Sequence, residues 1–436
     1  MFQELNIENN RPLAPLTTIG LGGAARYYCA LQSPRQLPVA RRYCEQHQLP
    51  VFVLGGGSNV VFADGGFAGL VLHVAWRGID VKQQDAQVSL RVAAGEPWDE
   101  FVAHCVARGW GGVECLSGIP GSTGATPVQN VGAYGQEVAD CIVAVECFDW
   151  QTNSAVTFTR EECRFAYRDS RFKSSAEKGR FIITHVQFQL SARGPLDVRY
   201  GELSRRLLDR LEAMNSNTNE QADFRVTRAS ESDGQAGAPH ATGTEQAGRS
   251  STVSVDTRQS QSDKERQRLR ELSAHLSPVE RMQTVRAEVL RLRSGKSMVI
   301  DPEDPDTRSC GSFFMNPELS ADEFAALKTR INSNARSDNS PETRSDSHGD
   351  SAADVAIPVF HLPDMRVKVP AAWLMEYCGF RKGYTRNGVG ISRSHALALV
   401  NRGGSTADLR ALVAEIQERV CSLTGIVLQP EPLLPD

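Results

Sequence analysis

Residues Cys115 to Gly135 read CLSGIPGSTGATPVQNVGAYG, and this stretch decides how the rest of the chain is to be understood. Gly118, Gly121, Gly124, Gly132 and Gly135 follow one another closely with no charged residue between them. A glycine inside a helix or strand costs about 0.5–1 kcal/mol relative to alanine, so this density specifies a long loop. Glycine lets backbone N–H groups turn inward toward a ligand, and Ser117, Ser122, Thr123, Thr126, Gln129 and Asn130 add hydroxyls and amides. A nucleotide-sized anion fits such a lining; a plain glycine-rich surface loop fits the composition as well.

Toward the N-terminus, Val51 to Leu54 is a short apolar strand signal. It is followed at once by Gly55, Gly56, Gly57, Ser58 and Asn59, then by the apolar run Val60 to Phe62. Strand, glycine turn and hydrophobic segment make a second phosphate-cradling candidate. Both standard phosphate loops are excluded: the third glycine of G-x-G-x-x-G would fall at Val60, and the Gly295-Lys296-Ser297 run lacks the glycine a P-loop needs at Leu290.

The chain has 436 residues, enough for about two or three domains. Its 48 basic and 52 acidic residues give a net charge of −4, so there is no general pull toward nucleic acid or an anionic membrane. Local groups must hold any anionic ligand. No run reaches the ~18–20 apolar residues of a membrane span, and the N-terminal segment has neither the basic start nor the apolar core of a signal peptide. A soluble, cytoplasmic protein is expected. The ten cysteines contain no C-x-x-C pair and read as small buried hydrophobes, with no metal site and no disulfide framework.

Ahead of the loop the signals alternate between α and β. An apolar run from Ala24 to Leu31 precedes a capped helix start at Ser33, Pro34 and Gln36, with the helix running to about Gln48 and Pro38 expected to distort its first turns. Leu70 to Val74 and the alternating Val88, Leu90 and Val92 read as strands, and Pro97 opens a helix that Gly109 ends. Beyond the loop come three strand signals, Cys141 to Asp149, Ala155 to Thr159 and Phe181 to Leu190. Two polar segments, about 215–263 and 332–353, contain too few large apolar residues to offset chain ordering and are expected to be disordered insertions. Order is expected again at the Ser277 to Glu280 capping box. Farther on are a short helix within Pro370 to Gly379 and a last helix capped at Ser405, with Leu409, Leu412, Val413, Ile416, Val420 and Leu423 on its buried face. Glu431 follows at the end of a strand signal.

Between the second and third of those strand signals lies Tyr167, Arg168, Asp169 and Ser170. Arg168 beside Asp169 makes an ordinary surface ion pair, or its planar fork holds a carboxylate. Ser312 after a glycine reads as a turn or cap, and Glu431 in a Pro-Glu-Pro tail reads as solvated, when each is taken alone.

Taken in order, Gly55 to Asn59, Ile119 to Ala125, Gln129 to Gly135, Tyr167 to Ser170, Gly311 to Pro317 and Pro430-Glu431 closely resemble the UDP-N-acetylenolpyruvoylglucosamine reductase family. The resemblance spans about 17–210 and 278–433. It implies an α+β fold: a two-lobed FAD-binding domain of the vanillyl-alcohol-oxidase (PCMH) type over 17–200, with lobes about 17–78 and 79–200, then a C-terminal mixed α/β substrate domain over 201–436. It also implies FAD as cofactor, NADPH as reductant and a UDP-sugar as substrate in peptidoglycan precursor synthesis. A monomer is expected.

For the site, the resemblance implies Arg168, Ser312 and Glu431 as the catalytic set. Arg168 would stabilise charge developing on the substrate carboxylate, Ser312 would give a proton, and Glu431 would stand near the same carbon. Gly55, Gly56, Gly57, Ser58, Asn59, Gly121, Ser122, Gly124, Asn130, Gly132 and Gly135 are implied to hold the cofactor, and Tyr167, Tyr200, Lys296, Asn316, Lys382 and His395 the substrate. Tyr200 marks the subgroup that retains the tyrosine loop. Gln429 stands where many members have a second glutamate. An oxidase of small alcohols on the same flavin fold would fit the glycine loops without needing Arg168, Ser312 and Glu431 together. A flavin- or nucleotide-sugar-responsive binding module would make Ser312 dispensable.

Overall fold

The N-terminal lobe is built on a four-stranded sheet, β1 (Glu8–Pro12), β2 (Ala24–Leu31), β3 (Val51–Leu54) and β4 (Phe67–Val74), in the order β1-β2-β4-β3. In this computed structural model the described residues are 5–193, 196, 198–230, 255–336, 355–362 and 364–435. β4 pairs in parallel with both β2 and β3, and the crossover between β2 and β3 is helix α1 (Leu37–His47). Pro38 does not distort this helix. A 3-10 turn, Pro34–Gln36, carries the Ser33 capping box, and α1 begins only at Leu37, so Pro38 falls in the first turn where its missing N–H is not needed. Val60 to Phe62 is buried, but Val60 pairs only as an isolated bridge to Leu433 of the tail.

The second lobe is antiparallel throughout. Strands β5 (Ile79–Gln84) and β6 (Gln87–Ala93) precede α2 (Trp98–Val106) and the small hairpin β7 (Gly132–Ala133) and β8 (Gln136–Glu137). Then come β9 (Ile142–Asp149), β10 (Ser154–Thr159) and β11 (Phe181–Ser191), which complete a sheet of order β10-β9-β11-β6-β5. Val88, Leu90 and Val92 alternate into its core against Phe101, Val102 and Cys105 of α2. Between α2 and β7 the long central loop runs along the top of this lobe. Its path is fixed by Asp99, which accepts from the Gly118 amide at 2.5 Å and from Arg286 at 2.6 and 2.8 Å.

A helical unit follows. α3 (Gly201–Ser230) and α4 (Val255–Leu272) pack with α5 (Pro278–Ser294) through Leu203, Leu207, Leu211, Leu269, Val285, Val289 and Leu292. Here the expected disorder is corrected at both ends: α3 continues to Ser230 and α4 is helical from Val255, whereas 231–254 lie outside the described residues. The leucine seam supplies the nucleus, and extension past it adds a hydrogen bond for each residue fixed even where the sequence turns polar. Of the second polar segment, only its first residues are described, as the end of α6 (Ala321–Arg336); 337–354 lie outside.

The C-terminal part contributes β12 (Ser309–Ser312), β13 (Glu318–Leu319), β14 (Phe360–His361), β15 (Val367–Lys368), α7 (Ala371–Tyr377), β16 (Thr385–Arg386), β17 (Val389–Ile391), β18 (Ala398–Asn401) and α8 (Thr406–Thr424). They form sheets of order β12-β18-β17-β16 and β13-β15-β14, backed by α8, whose Leu409, Leu412, Ile416 and Val420 are buried; Gly425 at φ +78° ends it. The cysteines are free, all buried except Cys421. Among the described residues no helix is long and apolar enough to cross a membrane, and no metal-ligating cluster occurs.

Candidate active site

The two glycine loops meet. A Cβ on Gly56 would sit 2.6 Å from the Gly121 backbone, and one on Gly121 2.7 Å from the Ser58 hydroxyl. A Cβ on Gly55 would sit 2.5 Å from the Ser122 hydroxyl. Gly57, at φ +65°, would press one 1.9 Å from the Leu16 carbonyl, and Gly124 packs on Ala94. These glycines are therefore required by the approach of backbone to backbone. Among the described residues no protein acceptor is within hydrogen-bonding reach of the Gly56, Gly57, Ser58 and Asn59 amides. The Thr123 hydroxyl is buried without a partner as well. Unengaged amides in a glycine cradle beside a buried orphan hydroxyl are what a dinucleotide pyrophosphate needs, so these residues fit FAD.

Asn59, by contrast, uses its side chain within the protein: Nδ2 donates to Gln129 Oε1 at 2.5 Å and to the Glu431 carbonyl at 3.3 Å. The tail is stitched to the same loop. Leu433 N–H donates to the Asn59 carbonyl at 3.0 Å, and Val61 N–H donates to the Leu433 carbonyl at 2.9 Å. Asn130, buried at φ +44°, is similarly engaged, donating to Glu137 at 2.6 Å and Ala166 at 3.1 Å and accepting from Ala139. Its amide braces the hairpin that follows and is not turned toward the glycine cradle.

Arg168 occupies a two-residue turn closed by mutual backbone hydrogen bonds between Ala166 and Asp169, and its own φ is +52°. Left-handed backbone at a non-glycine residue is strained, and here it aims the guanidinium. Nη2 donates to the Gly132 carbonyl at 2.8 Å while Nε lies 3.5 Å from Glu431 Oε1. A Cβ on Gly132 would meet Glu137 Cγ at 2.8 Å, the Gln136 carbonyl at 3.0 Å and Arg168 Nη1 at 3.3 Å, so that glycine makes room for the hairpin partner first and for the arginine as well. Glu431 is largely buried, and desolvation pushes its carboxyl above the ordinary value although Arg168 and Lys173 pull it down.

Ser312 is adjacent through the backbone. Its neighbour Phe313 accepts from the Glu431 amide at 2.8 Å, and Met315 N–H donates to the Gln429 carbonyl at 3.0 Å, so the tail lies antiparallel to the residues after β12. The tail is held by these contacts and by the Phe314 to Pro430 bridge, not as a strand. The Ser312 hydroxyl is 3.2 Å from His395 Nε2. Burial, with Lys296, Lys382 and Arg293 nearby, brings His395 down to about 4, so its imidazole is uncharged at neutral pH.

The remaining expected residues make the following contacts. Tyr167 faces Asn316 Nδ2 at 3.5 Å, and Asn316 Oδ1 accepts from the Ala371 amide. Tyr200, 41% exposed, packs edge-on against Tyr134 with ring centroids 5.4 Å apart. Lys296 pairs with Glu202 at 3.3 Å and lies 6.0 Å from the Tyr134 ring. Gly135, at φ +80°, abuts Arg199 and the Tyr200 amide. Lys382 is exposed and reaches the group only through its field on His395.

Tyr134, Lys173 and Lys368 enter the site without having been singled out. Tyr134 and Gly135 are the two central residues of the β7–β8 turn, both at positive φ, as a tight hairpin demands; a tyrosine before that glycine was the available signal. Lys368, whose ammonium is 3.2 Å from the centroid of the Tyr167 ring, follows the second polar segment and carries no motif.

Comparison with known proteins gives concordant matches. A family model described as FAD binding domain matches residues 25–158, and one described as UDP-N-acetylenolpyruvoylglucosamine reductase, C-terminal domain, matches 302–434. The chain is 39% identical over 429 residues to a UDP-N-acetylenolpyruvoylglucosamine reductase of Thermobifida fusca, covering 98% of this chain and 97% of the relative. It is 37% identical over 431 residues to the protein of that name in Mycolicibacterium smegmatis, covering 97% and 94%. In fold it is similar to the crystal structure of a UDP-N-acetylenolpyruvylglucosamine reductase from Thermus caldophilus, with a TM-score of 0.56 over all of both chains at 20% identity.

Proposed function

The chain belongs to the UDP-N-acetylenolpyruvoylglucosamine reductase family, and from that premise we propose that it uses NADPH to reduce the enolpyruvyl ether of UDP-N-acetylglucosamine to UDP-N-acetylmuramate. It is an oxidoreductase with an FAD-binding domain. The single observation that carries the reading is that Arg168 of the second lobe faces Glu431 of the tail at 3.5 Å, while the Glu431 amide donates to the carbonyl of Phe313, the residue after Ser312.

FAD, when bound, would supply hydride, taken from NADPH, for the terminal alkene carbon of the substrate, and Gly56 to Asn59 and Gly121 to Gly124 would hold its pyrophosphate. The protein's own residues handle the rest. Hydride addition pushes negative charge into the neighbouring carboxylate, and Arg168, already aimed by its turn, stabilises that charge without reorganising. The Ser312 hydroxyl then protonates the adjacent carbon, and uncharged His395 orients that hydroxyl. Largely buried Glu431, 3.5 Å from Arg168 Nε, holds that guanidinium in line. Tyr134, Tyr200, Lys296 and Asn316 bind the nucleotide end of the substrate. On this reading the reaction runs in the cytoplasm, in a monomer.

Anaerobic addition of the enolpyruvyl sugar nucleotide to the NADPH-reduced protein tests the reading. Reappearance of the oxidised flavin spectrum with stoichiometric UDP-N-acetylmuramate is expected; a flavin that stays reduced removes the proposal.

A further inference from the structure

Arg168 is the obvious cation of the centre, but part of its guanidinium is already engaged. Nε faces Glu431 at 3.5 Å and Nη2 donates to the Gly132 carbonyl, so Arg168 meets an incoming carboxylate with only its remaining donors and a partly offset charge. A second cation is built in beside it. Lys173 is half-buried at the end of the 3-10 turn Arg171–Lys173, and its ammonium donates to the Arg168 carbonyl at 2.9 Å.

That turn is rigid. Ser170 caps it by accepting from Phe172 N–H at 3.2 Å and itself donates to the Val128 carbonyl of the central loop at 2.6 Å; Phe172 is packed in the core. Among the described residues no carboxylate forms an ion pair with Lys173, so its charge is not cancelled locally. Its field also reaches Glu431 with the same sign as that of Arg168.

We propose that Lys173 is the positioning residue of this centre: it fixes the left-handed turn that aims Arg168 at Glu431 and supplies the second positive charge that a substrate carboxylate meets. The inference rests on the reductase reading for the identity of that carboxylate. A bond from a charged donor to a carbonyl is among the stronger ones, and at a left-handed arginine it offsets strain that would otherwise let the turn relax. A lysine serving only the fold could be replaced by an apolar residue of similar length with no electrostatic consequence.

The test compares Lys173→Met and Lys173→Arg in the full-length holoenzyme. The first readout needs no substrate: the titration of the Glu431 carboxyl, followed by ¹³C NMR with labelled glutamate and assigned through Glu431→Gln. The groups facing Glu431 are Arg168, Lys173 and the Tyr167 phenol, so loss of one cation should move its midpoint upward in the Met variant and leave it in place in the Arg variant. The second readout is flavin reoxidation by the enolpyruvyl sugar nucleotide. It should slow by about tenfold or more in the Met variant with a raised KM, with FAD content unchanged, and recover in the Arg variant.

An unmoved Glu431 titration overturns the proposal, and so does an equal defect in both variants or a Met variant that turns over normally. Failure of the wild-type flavin to reoxidise would sink the reductase reading alone, because the carboxyl titration decides the role of Lys173 without substrate.

Discussion

The guanidinium of Arg168 stands 3.5 Å from the carboxylate of Glu431, although the burial of Glu431 raises its carboxyl above the ordinary value of 4.5. Burial outweighs the ion pair, which makes this carboxylate a stability liability held for another purpose. The sign follows from linkage. A group whose folded pKa is raised binds its proton more tightly in the native state, so its contribution is fully present below the unfolded value and is lost as pH rises through the folded one. Glu431→Gln is neutral at every pH. Its melting temperature relative to wild type should therefore climb as pH is raised from 5 to 8, while turnover collapses. Calorimetry of both proteins across that range checks it, and a pH-independent difference would contradict the burial argument.

The hydroxyl of Ser312 and the Nε2 of His395, 3.2 Å apart, separate a chemical role from an orienting one. Ser312→Ala should lower turnover about 100- to 1,000-fold and leave the bound flavin spectrum intact. His395→Gln retains an amide that can meet the serine and should keep far more activity. Its signature lies in stability. His395 is held down to about 4 from 6.5, so acidification through that window protonates the unfolded chain first and destabilises the wild type by an amount on the order of 3 kcal/mol. The Gln variant should lack that loss, as urea unfolding at pH 7 and pH 4.5 would reveal.

Two glycines near each other in sequence should respond oppositely to alanine. A methyl at Gly56 would meet the Gly121 backbone at 2.6 Å, where neither loop has a flexible side chain to yield, whereas a methyl at Gly65 meets nothing within 4 Å. Gly56→Ala should force the loops apart and purify with little or no flavin. Gly65→Ala should be yellow and active. Flavin-to-protein absorbance ratios after gel filtration are enough to decide, and full flavin in the Gly56 variant would mean that the loops do not hold the pyrophosphate.

What could be read in the sequence was what is written locally. The β6 alternation of Val88, Leu90 and Val92, the capping boxes at Ser277 and Ser405 and the Gly425 stop each depend on residues a few positions apart, and each is found where its pattern lies. The site was legible only through ordered motifs, because Arg168 and Glu431 come from opposite ends of the folded domains and no local rule places them together. The helix past Leu211 was missed because composition reports whether a segment can nucleate and not whether it can be extended from a neighbour. Pro38 was misjudged for want of one turn, since the helix begins after the capping box rather than at it. Lys173 was in plain view, but its contact is with the Arg168 backbone carbonyl, which sequence does not locate.

Asn59 connects three parts of the chain. Its Nδ2 spans Gln129 of the central loop and the carbonyl of Glu431, and its own carbonyl accepts from Leu433. Asn59→Ala removes the first two contacts and leaves the third, which is made by backbone. The Gly56 to Ser58 amides are untouched by that change, so flavin binding should fall only modestly. The tail, by contrast, loses the tie nearest its working carboxylate, and Glu431 should sample positions from which it no longer holds Arg168. The expected outcome is a fall in kcat of about tenfold or more, larger than the change in flavin affinity, with faster removal of the last residues by carboxypeptidase. If flavin is lost in proportion to activity while the tail stays as protected as in the wild type, Asn59 belongs to the cofactor cradle and not to the tail.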